Sequence, residues 1–249
     1  MKELLGMKLN STTAHIWPID VTHMSLPNVL SAVEKERLSS FYFTKDKILF
    51  NQSHCALRFV LSHYLSESPV NIKYDFTAHG KPFLKNRSLQ FNLSHSDKIA
   101  VIAVTADADI GVDIENLIRD VEYDELGNRF FSEAEYSKLC NAKPEEKRVT
   151  FFNCWTRKEA FIKAIGEGLS YPLNEFEVTM LPNEPIQITH IQNDPESTNQ
   201  WTLASKDLGQ YKIAAAVKHQ NCRILYRDFN ELFTQYSINR VNNFHTISF

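Results

Sequence analysis

The sequence predicts an α+β fold built from two similar halves, and three features carry that reading. Residues 45–65 and 145–166 form two long helical stretches, the first placing Ile48, Leu49, Ala56, Phe59, Val60 and His63 at helical spacing toward a core. Each is followed by short apolar runs set between Gly, Pro, Asn and Asp, as strands separated by turns require. Two of those runs echo each other, Lys98-Ile99-Ala100-Val101-Ile102-Ala103-Val104 and Lys212-Ile213-Ala214-Ala215-Ala216-Val217.

Taken in order, the chain opens with a strand over 13–20, loosely alternating around Ile16 and Trp17, then helices over 27–41 and 45–65. A meander follows: strands at 72–76, 91–94 and 99–105, with His79-Gly80-Lys81-Pro82 as turn chemistry between the first two. Ile110 begins a further strand. Ser132-Glu133-Ala134-Glu135 has the S-x-x-E form of a helix-opening capping box. The long helix over 145–166 stops at Gly166 and Gly168, because glycine accepts the left-handed conformation of a C-terminal cap. Strands are expected at 176–180, 186–190, 201–205, 211–217 and 223–226. The boundary falls near 107–109, giving units of 1–108 and 109–229, with the polar residues 230–249 as a separate tail.

Composition excludes more than it identifies. A chain of 249 residues, 43% hydrophobic, can bury a sizeable core. Its net charge of −3 offers no global field for nucleic acid or an anionic membrane, so any anion site must be a local cluster. Four cysteines, Cys55, Cys140, Cys154 and Cys222, lack C-x-x-C spacing and read as reduced and structural. The nine histidines form no H-E-x-x-H pair, which argues against zinc. With no basic and apolar leader and no run of about 18 apolar residues, a cytoplasmic protein is expected.

The chemistry concentrates in two segments. In Ile110-Gly111-Val112-Asp113-Ile114-Glu115, Asp113 and Glu115 are two apart on a strand, so both carboxylates leave one face and can reach one ion. In Trp155-Thr156-Arg157-Lys158-Glu159-Ala160-Phe161-Ile162-Lys163, Glu159 and Lys163 are four apart on a helix, also on one face. Taken alone, the first pair reads as a solvated strand end and the second as a surface ion pair. Together they supply three hard oxygen ligands and a phosphate-seeking cation, a set suited to a divalent cation held against a phosphorylated ligand.

With Gly80-Lys81-Pro82, Phe91-Asn92-Leu93-Ser94-His95-Ser96, Arg129-Phe130-Phe131-Ser132-Glu133-Ala134-Glu135-Tyr136 and Gly166-Glu167-Gly168-Leu169, these motifs resemble the 4'-phosphopantetheinyl transferase superfamily. They match its large, monomeric, surfactin-synthetase-activating branch in order and approximate spacing over roughly residues 25–180. The resemblance implies two α/β subdomains related by a pseudo-two-fold axis with the ligand between them. The implied activity is transfer of phosphopantetheine from coenzyme A to a serine of an apo acyl, peptidyl or polyketide carrier protein, leaving adenosine 3',5'-bisphosphate.

The resemblance also assigns roles. Asp113, Glu115 and Glu159 would bind Mg2+, for which Mn2+ can substitute. Lys163 would meet the pyrophosphate, and Glu159 is a candidate to accept the serine proton directly or through a metal-bound water. Lys81, Pro82, Ser94 and His95, with Asp113 and Lys163, would contact coenzyme A, and His95 would need partial protonation to hold its 3'-phosphate. Lys35 and Arg37 sit near two basic positions of the family, and one departure stands out: Leu49 occupies a position where related enzymes carry an arginine, so that Lys47 or Lys45 substitutes or the contact is missing. Carrier docking is expected on Leu169, Tyr171 and Leu173, steered by Lys143, Lys147, Arg148 and Arg157. A metal-dependent phosphodiesterase or nuclease is the alternative, but it lacks a basic strip. A non-catalytic module binding coenzyme A or a carrier is another. No nucleic-acid or membrane partner is expected, and a monomer carries both halves of the site.

Overall fold

The computed structural model describes residues 9–85 and 88–245. It stacks two sheets between two helices of equal length. The first sheet has the order β11-β1-β5-β4 and the second β6-β10-β9. Here β1 is Thr13–Asp20, β4 Gln90–Ser96, β5 Ile99–Thr105, β6 Ile110–Asn116, β9 Thr202–Leu208, β10 Tyr211–Val217 and β11 Arg223–Tyr226. All pairings are antiparallel except β1 with β11. Two hairpins complete the strands: β2 (Asp75–Phe76) with β3 (Pro82–Phe83), and β7 (Phe176–Val178) with β8 (Ile188–Ile191).

Strand alternation produces the layers. In β5, Ala100, Ile102 and Val104 point toward α2 (Thr44–Leu65) in one core with Phe59, Val60 and Leu61. Val101 and Ala103 point the other way, into a middle core shared with Ile110, Val112, Ile213 and Ala215 of the second sheet. In β10, Ala214 and Ala216 turn outward into a third core against Phe161 and Ile162 of α5 (Pro144–Ile165). Both β5 and β10 are therefore buried on both faces, which explains why they read as continuous apolar runs that echo each other.

The helix boundaries follow local chemistry. Helix α1 (Ala32–Ser40) starts at the Ser31 and Glu34 capping box rather than at residue 27. Helices α3 (Tyr123–Phe130) and α4 (Glu133–Asn141) precede α5, and α4 uses the Ser132 and Glu135 capping box. Pro144 occupies the first turn of α5, where a missing N–H costs nothing, and Gly166 at φ 79° closes its end with its N–H on Ile162 O. Ile48 is half exposed, so the apolar face of α2 begins later than its spacing suggests. Cys140 is exposed, while the other three free cysteines are buried.

Strand β11, at the end of the 109–229 unit, pairs with β1 through Thr13 to Ile16 and so bridges the two halves. The tail is not a separate appendage over its described part. It forms α6 (Phe229–His245), whose Phe229 and Leu232 are buried in the first core with Phe233 and Tyr236 packed beside them; residues 246–249 lie outside the described residues. The reason is apolar spacing: Phe229, Leu232, Phe233 and Tyr236 recur at three and four residues within a segment of polar composition. No described helix is long and apolar enough to cross a membrane.

Candidate active site

The seam between the halves is made by side chains. On β4, Asn92, Ser94 and Ser96 are two apart and so share a face, which they turn toward β6. Asn92 Oδ1 accepts the Val112 N–H at 2.9 Å and Ser96 Oγ accepts the Asn116 N–H at 3.1 Å. Ser94 Oγ donates to Asp113 Oδ1 at 3.0 Å and Ser96 Oγ to Glu115 Oε2 at 3.3 Å. The two acidic residues of β6 thus lie on hydroxyls supplied by the other half.

Helix α5 crosses directly over β6 at Gly111. A Cβ there would sit 2.1 Å from Ala160 O and 2.3 Å from Ala164 N, so only glycine permits this approach. The close crossing brings Lys163 onto the seam. Its Nζ donates to Asp113 Oδ1 at 2.6 Å and to Ser94 Oγ at 2.9 Å. Asp113 is 4% exposed, and its Oδ2 is buried without a hydrogen-bond partner.

Repulsion among acids marks the electrostatics. Burial, then Asp113 and Glu115, push the Glu159 carboxyl up to about 6, against the pull of Lys163. Burial and Asp113 likewise raise Glu115, opposed by Arg119, 3.6 Å away. Among the described residues no three carboxylate, imidazole or thiolate groups already form a metal cage; Lys163 holds Asp113 instead. Three mutually repelling carboxylates and one orphaned buried oxygen nonetheless fit a hard divalent cation.

Two clefts meet here. The larger, about 820 Å3, runs from Ser94, Asp113, Glu115 and Glu159 to a far wall of Arg129, Phe130, Trp155, Tyr171 and Asn174. The smaller, about 290 Å3, is lined by Arg37, His54, Tyr74, Phe76, Gly80 and Pro82. Ser94, His95 and Lys163 border both. His95 stands at this junction, where desolvation, His54 and Lys163 lower its pKa, so the free protein favours a neutral imidazole.

The structure brings together Pro82, Ser94, His95, Asp113, Glu115, Glu159 and Lys163. It does not bring in the Lys81 ammonium, which turns away to Ala164 O and Ile110 O. Leu49 and Lys45 line a separate hollow with Val21 and Lys98, and Arg37 lines the smaller cleft beside Lys163. Arg157 is 4% exposed and donates to Thr179 O, so it cannot steer a partner. Leu173 is buried, Tyr171 packs against the same core, and the Leu169 side chain lies outside the described residues.

The sequence reading missed His54 and Tyr74. Both bond to Glu34, as does Arg58 through Nε at 2.8 Å, and the Ser31 capping box puts Glu34 in place. The S-x-x-E spacing at Ser31 to Glu34 could have revealed Glu34, but no spacing connects it to residues 20 and 40 positions onward.

Carboxylates, an ammonium and a hydroxyl at the meeting of two clefts, on a layered α/β scaffold, are the equipment of an enzyme that transfers phosphorylated groups. Residues 109–216 match the 4'-phosphopantetheinyl transferase superfamily, and residues 17–107 match the N-terminal family of 4'-phosphopantetheinyl transferases. The chain belongs to this superfamily, in its Sfp-like branch. It is 36% identical over 192 residues to the 4'-phosphopantetheinyl transferase HetI of Nostoc sp., covering 74% of this chain and 81% of that one. It is 29% identical over 192 residues to the 4'-phosphopantetheinyl transferase Sfp of Bacillus subtilis, covering 76% and 83%. A holo-(acyl-carrier-protein) synthase from Bacillus anthracis, solved with CoA (3',5'-ADP), aligns at a TM-score of 0.36 and 24% identity over 45% of this chain and 96% of that one.

Proposed function

We propose that this transferase takes coenzyme A along the two joined clefts and passes its phosphopantetheine to a serine of an apo carrier protein. The observation that carries the reading is the junction itself. Ser94, His95 and Lys163 separate a small cleft from a large one, and the three carboxylates line the large cleft beside them. An elongated ligand with a nucleotide at one end, a thiol-bearing arm at the other and a pyrophosphate between would set its reacting centre at that point.

In this reading Asp113, Glu115 and Glu159 would hold Mg2+, which supplies charge neutralisation to the pyrophosphate when bound. Lys163, already 2.6 Å from Asp113, stabilises charge on the departing phosphate. The carrier serine oxygen forms a new bond to the phosphorus bearing the pantetheine arm. The bond from that phosphorus to the bridging oxygen breaks, and adenosine 3',5'-bisphosphate leaves with the electron pair. Glu159 would take the serine proton, directly or through a metal-bound water. Arg37, His54 and His95 line the small cleft, where the nucleotide phosphate would be met. An incoming phosphate raises the His95 pKa and favours the imidazolium. Both halves of the site come from one chain, so a monomer suffices.

The test is intact-mass measurement of an apo carrier protein incubated with the enzyme, coenzyme A and Mg2+, with EDTA and Asp113→Ala in parallel. Gain of one phosphopantetheine that is lost with chelator, restored by Mn2+ and absent in the variant is expected. Full activity in Asp113→Ala would remove the metal assignment, and absence of gain with acyl and peptidyl carriers alike would remove the carrier assignment.

A further inference from the structure

Lys81 lies in the turn between β2 and β3, flanked by Gly80 and Pro82, both of which border the smaller cleft. Its backbone is fixed to Thr77 from both sides: Thr77 N donates to Lys81 O at 2.9 Å, and Lys81 N donates to Thr77 Oγ1 at 3.1 Å. The side chain then crosses from the first half into the second. Nζ donates to Ala164 O at 2.6 Å and to Ile110 O at 3.2 Å.

Those two carbonyls matter for where they sit. Ala164 is in the last turn of α5, whose final carbonyls have no partner within the helix and which presents the negative end of the helix dipole. It directly follows Lys163. Ile110 opens β6, three residues before Asp113. The Lys81 side chain also packs on the helix cap, with its Cδ 3.0 Å from where a Cβ on Gly166 would stand. Burial, opposed by Asp109, brings the Lys81 pKa down to about 8, while the two carbonyl acceptors favour its charged form.

We propose that Lys81 is a positioning residue: its ammonium clamps the C-terminal turn of α5 to the start of β6, and so holds Lys163 and Glu159 in register with Asp113 and Ser94. The inference rests on the site residues assigned above. Because the same turn forms an edge of the smaller cleft, the clamp also joins that edge to the helix bearing the reactive groups. Loss of the two hydrogen bonds frees the last turn, and Lys163 drifts from a geometry in which it now makes bonds of 2.6 and 2.9 Å. An error of about 1 Å at such a group is enough to slow the chemistry by orders of magnitude.

The experiment compares Lys81→Met, which keeps the chain's bulk and removes its donors, with Lys163→Ala in the same assays. Carrier loading gives kcat and KM, and calorimetry gives the Kd for coenzyme A. For Lys81→Met the expected result is a fall in kcat of at least about tenfold with a coenzyme A Kd changed by less than about threefold. A weakened Kd with kcat preserved would make Lys81 a ligand contact and overturn the proposal, as would wild-type values for both. Normal turnover in Lys163→Ala would instead overturn the site assignment on which the clamp depends.

Should Lys81→Met fail to fold, amine acylation of the wild-type protein read by peptide mass spectrometry decides. Lys81 should label far more slowly than Lys85 and Lys143, which are 75% and 69% exposed, and coenzyme A should add no protection. Rapid labelling of Lys81 that coenzyme A suppresses would refute the clamp.

Discussion

Replacing Gly111 with alanine tests whether the approach of α5 to β6 sets the site. Gly111 needs no left-handed conformation, so the substitution introduces crowding and little else. The new Cβ would stand 2.1 Å from Ala160 O, 2.3 Å from Ala164 N and 2.7 Å from the Lys163 carbonyl carbon. All three are backbone atoms and none can rotate away. Ordinary contact begins at 3.4 Å, so helix and strand must part by about 1.3 Å. Overpacking of this kind costs about 1–3 kcal/mol, which lowers the melting temperature of a chain this size by about 3–10 °C. The larger effect falls on catalysis. Lys163 would be carried from the 2.6 Å contact with Asp113, and a displacement near 1 Å costs about 100-fold in rate. Carrier loading, thermal unfolding and the coenzyme A Kd should be measured together. A folded Gly111→Ala protein with turnover within twofold of wild type and an unchanged melting temperature would refute the claim that this crossing positions Lys163.

Two further predictions concern the first half. His15 is fully buried, with Nδ1 bonded to Tyr64 Oη at 2.6 Å and Nε2 3.3 Å from an Arg227 nitrogen; burial, Arg227 and His63 bring its pKa down to about 4. The unfolded chain, with an ordinary histidine near 6.5, binds more protons below that pH, so this stability is present above 6.5 and is lost as pH falls toward 4. The loss at pH 5 should be about 2 kcal/mol in urea unfolding, and His15→Gln should flatten the profile; an unchanged slope in that variant would assign the pH dependence elsewhere. Glu34 is buried, which alone would raise its carboxyl, yet donors from His54, Arg58 and Tyr74 hold it well below the usual carboxylate range. Glu34→Gln leaves the buried Arg58 guanidinium without its counter-charge and should cost about 3–5 kcal/mol. It should also weaken coenzyme A binding, because His54 and Tyr74 line the smaller cleft; a stable variant with native affinity would separate this network from the ligand site.

Much of this was legible in the sequence because local chemistry decides it. Ser132 and Glu135 cap a helix wherever they occur in that spacing, and Gly166 ends one. The strands at 99–105 and 211–217 were visible as apolar runs that echo each other, and the structure buries both faces of each. Asp113 with Glu115, and Glu159 with Lys163, are pairs whose geometry follows from strand and helix periods alone. What was hidden depends on crossings between distant elements. Lys81 reads as a ligand-facing turn residue, and only the packing of α5 reveals two carbonyls that compete for its ammonium. Arg157 looks like a solvated helix cation until Thr179 arrives at the same face from β7's far end. The final helix escaped notice because four apolar residues among polar ones become a core face only when α2 is there to receive them.

Two of the lysine–carboxylate pairs on helix α5, Lys158–Glu135 and Lys163–Asp113, share chemistry and differ in purpose. Lys158 Nζ lies 2.7 Å from Glu135, both side chains at most 2% exposed, and also donates to Leu173 O and Phe176 O. The Glu135 oxygens additionally accept the Val178 and Ser132 N–H groups. Each charge there is surrounded by partners, so the pair is closed and ties α4 and the approach to β7 to the helix. The Lys163 pair is open: the lysine side chain is 29% exposed, Asp113 is buried, and one Asp113 oxygen has no hydrogen-bond partner among the described residues. Desolvating a carboxylate without completing its hydrogen bonds is unfavourable, and two more acids nearby make it worse. A purely structural ion pair has no use for that imbalance, whereas the cation and pyrophosphate proposed above would relieve it. The five-residue spacing from Lys158 to Lys163 turns the two ammonium groups to different sides of α5, so the helix is anchored by one while it presents the other.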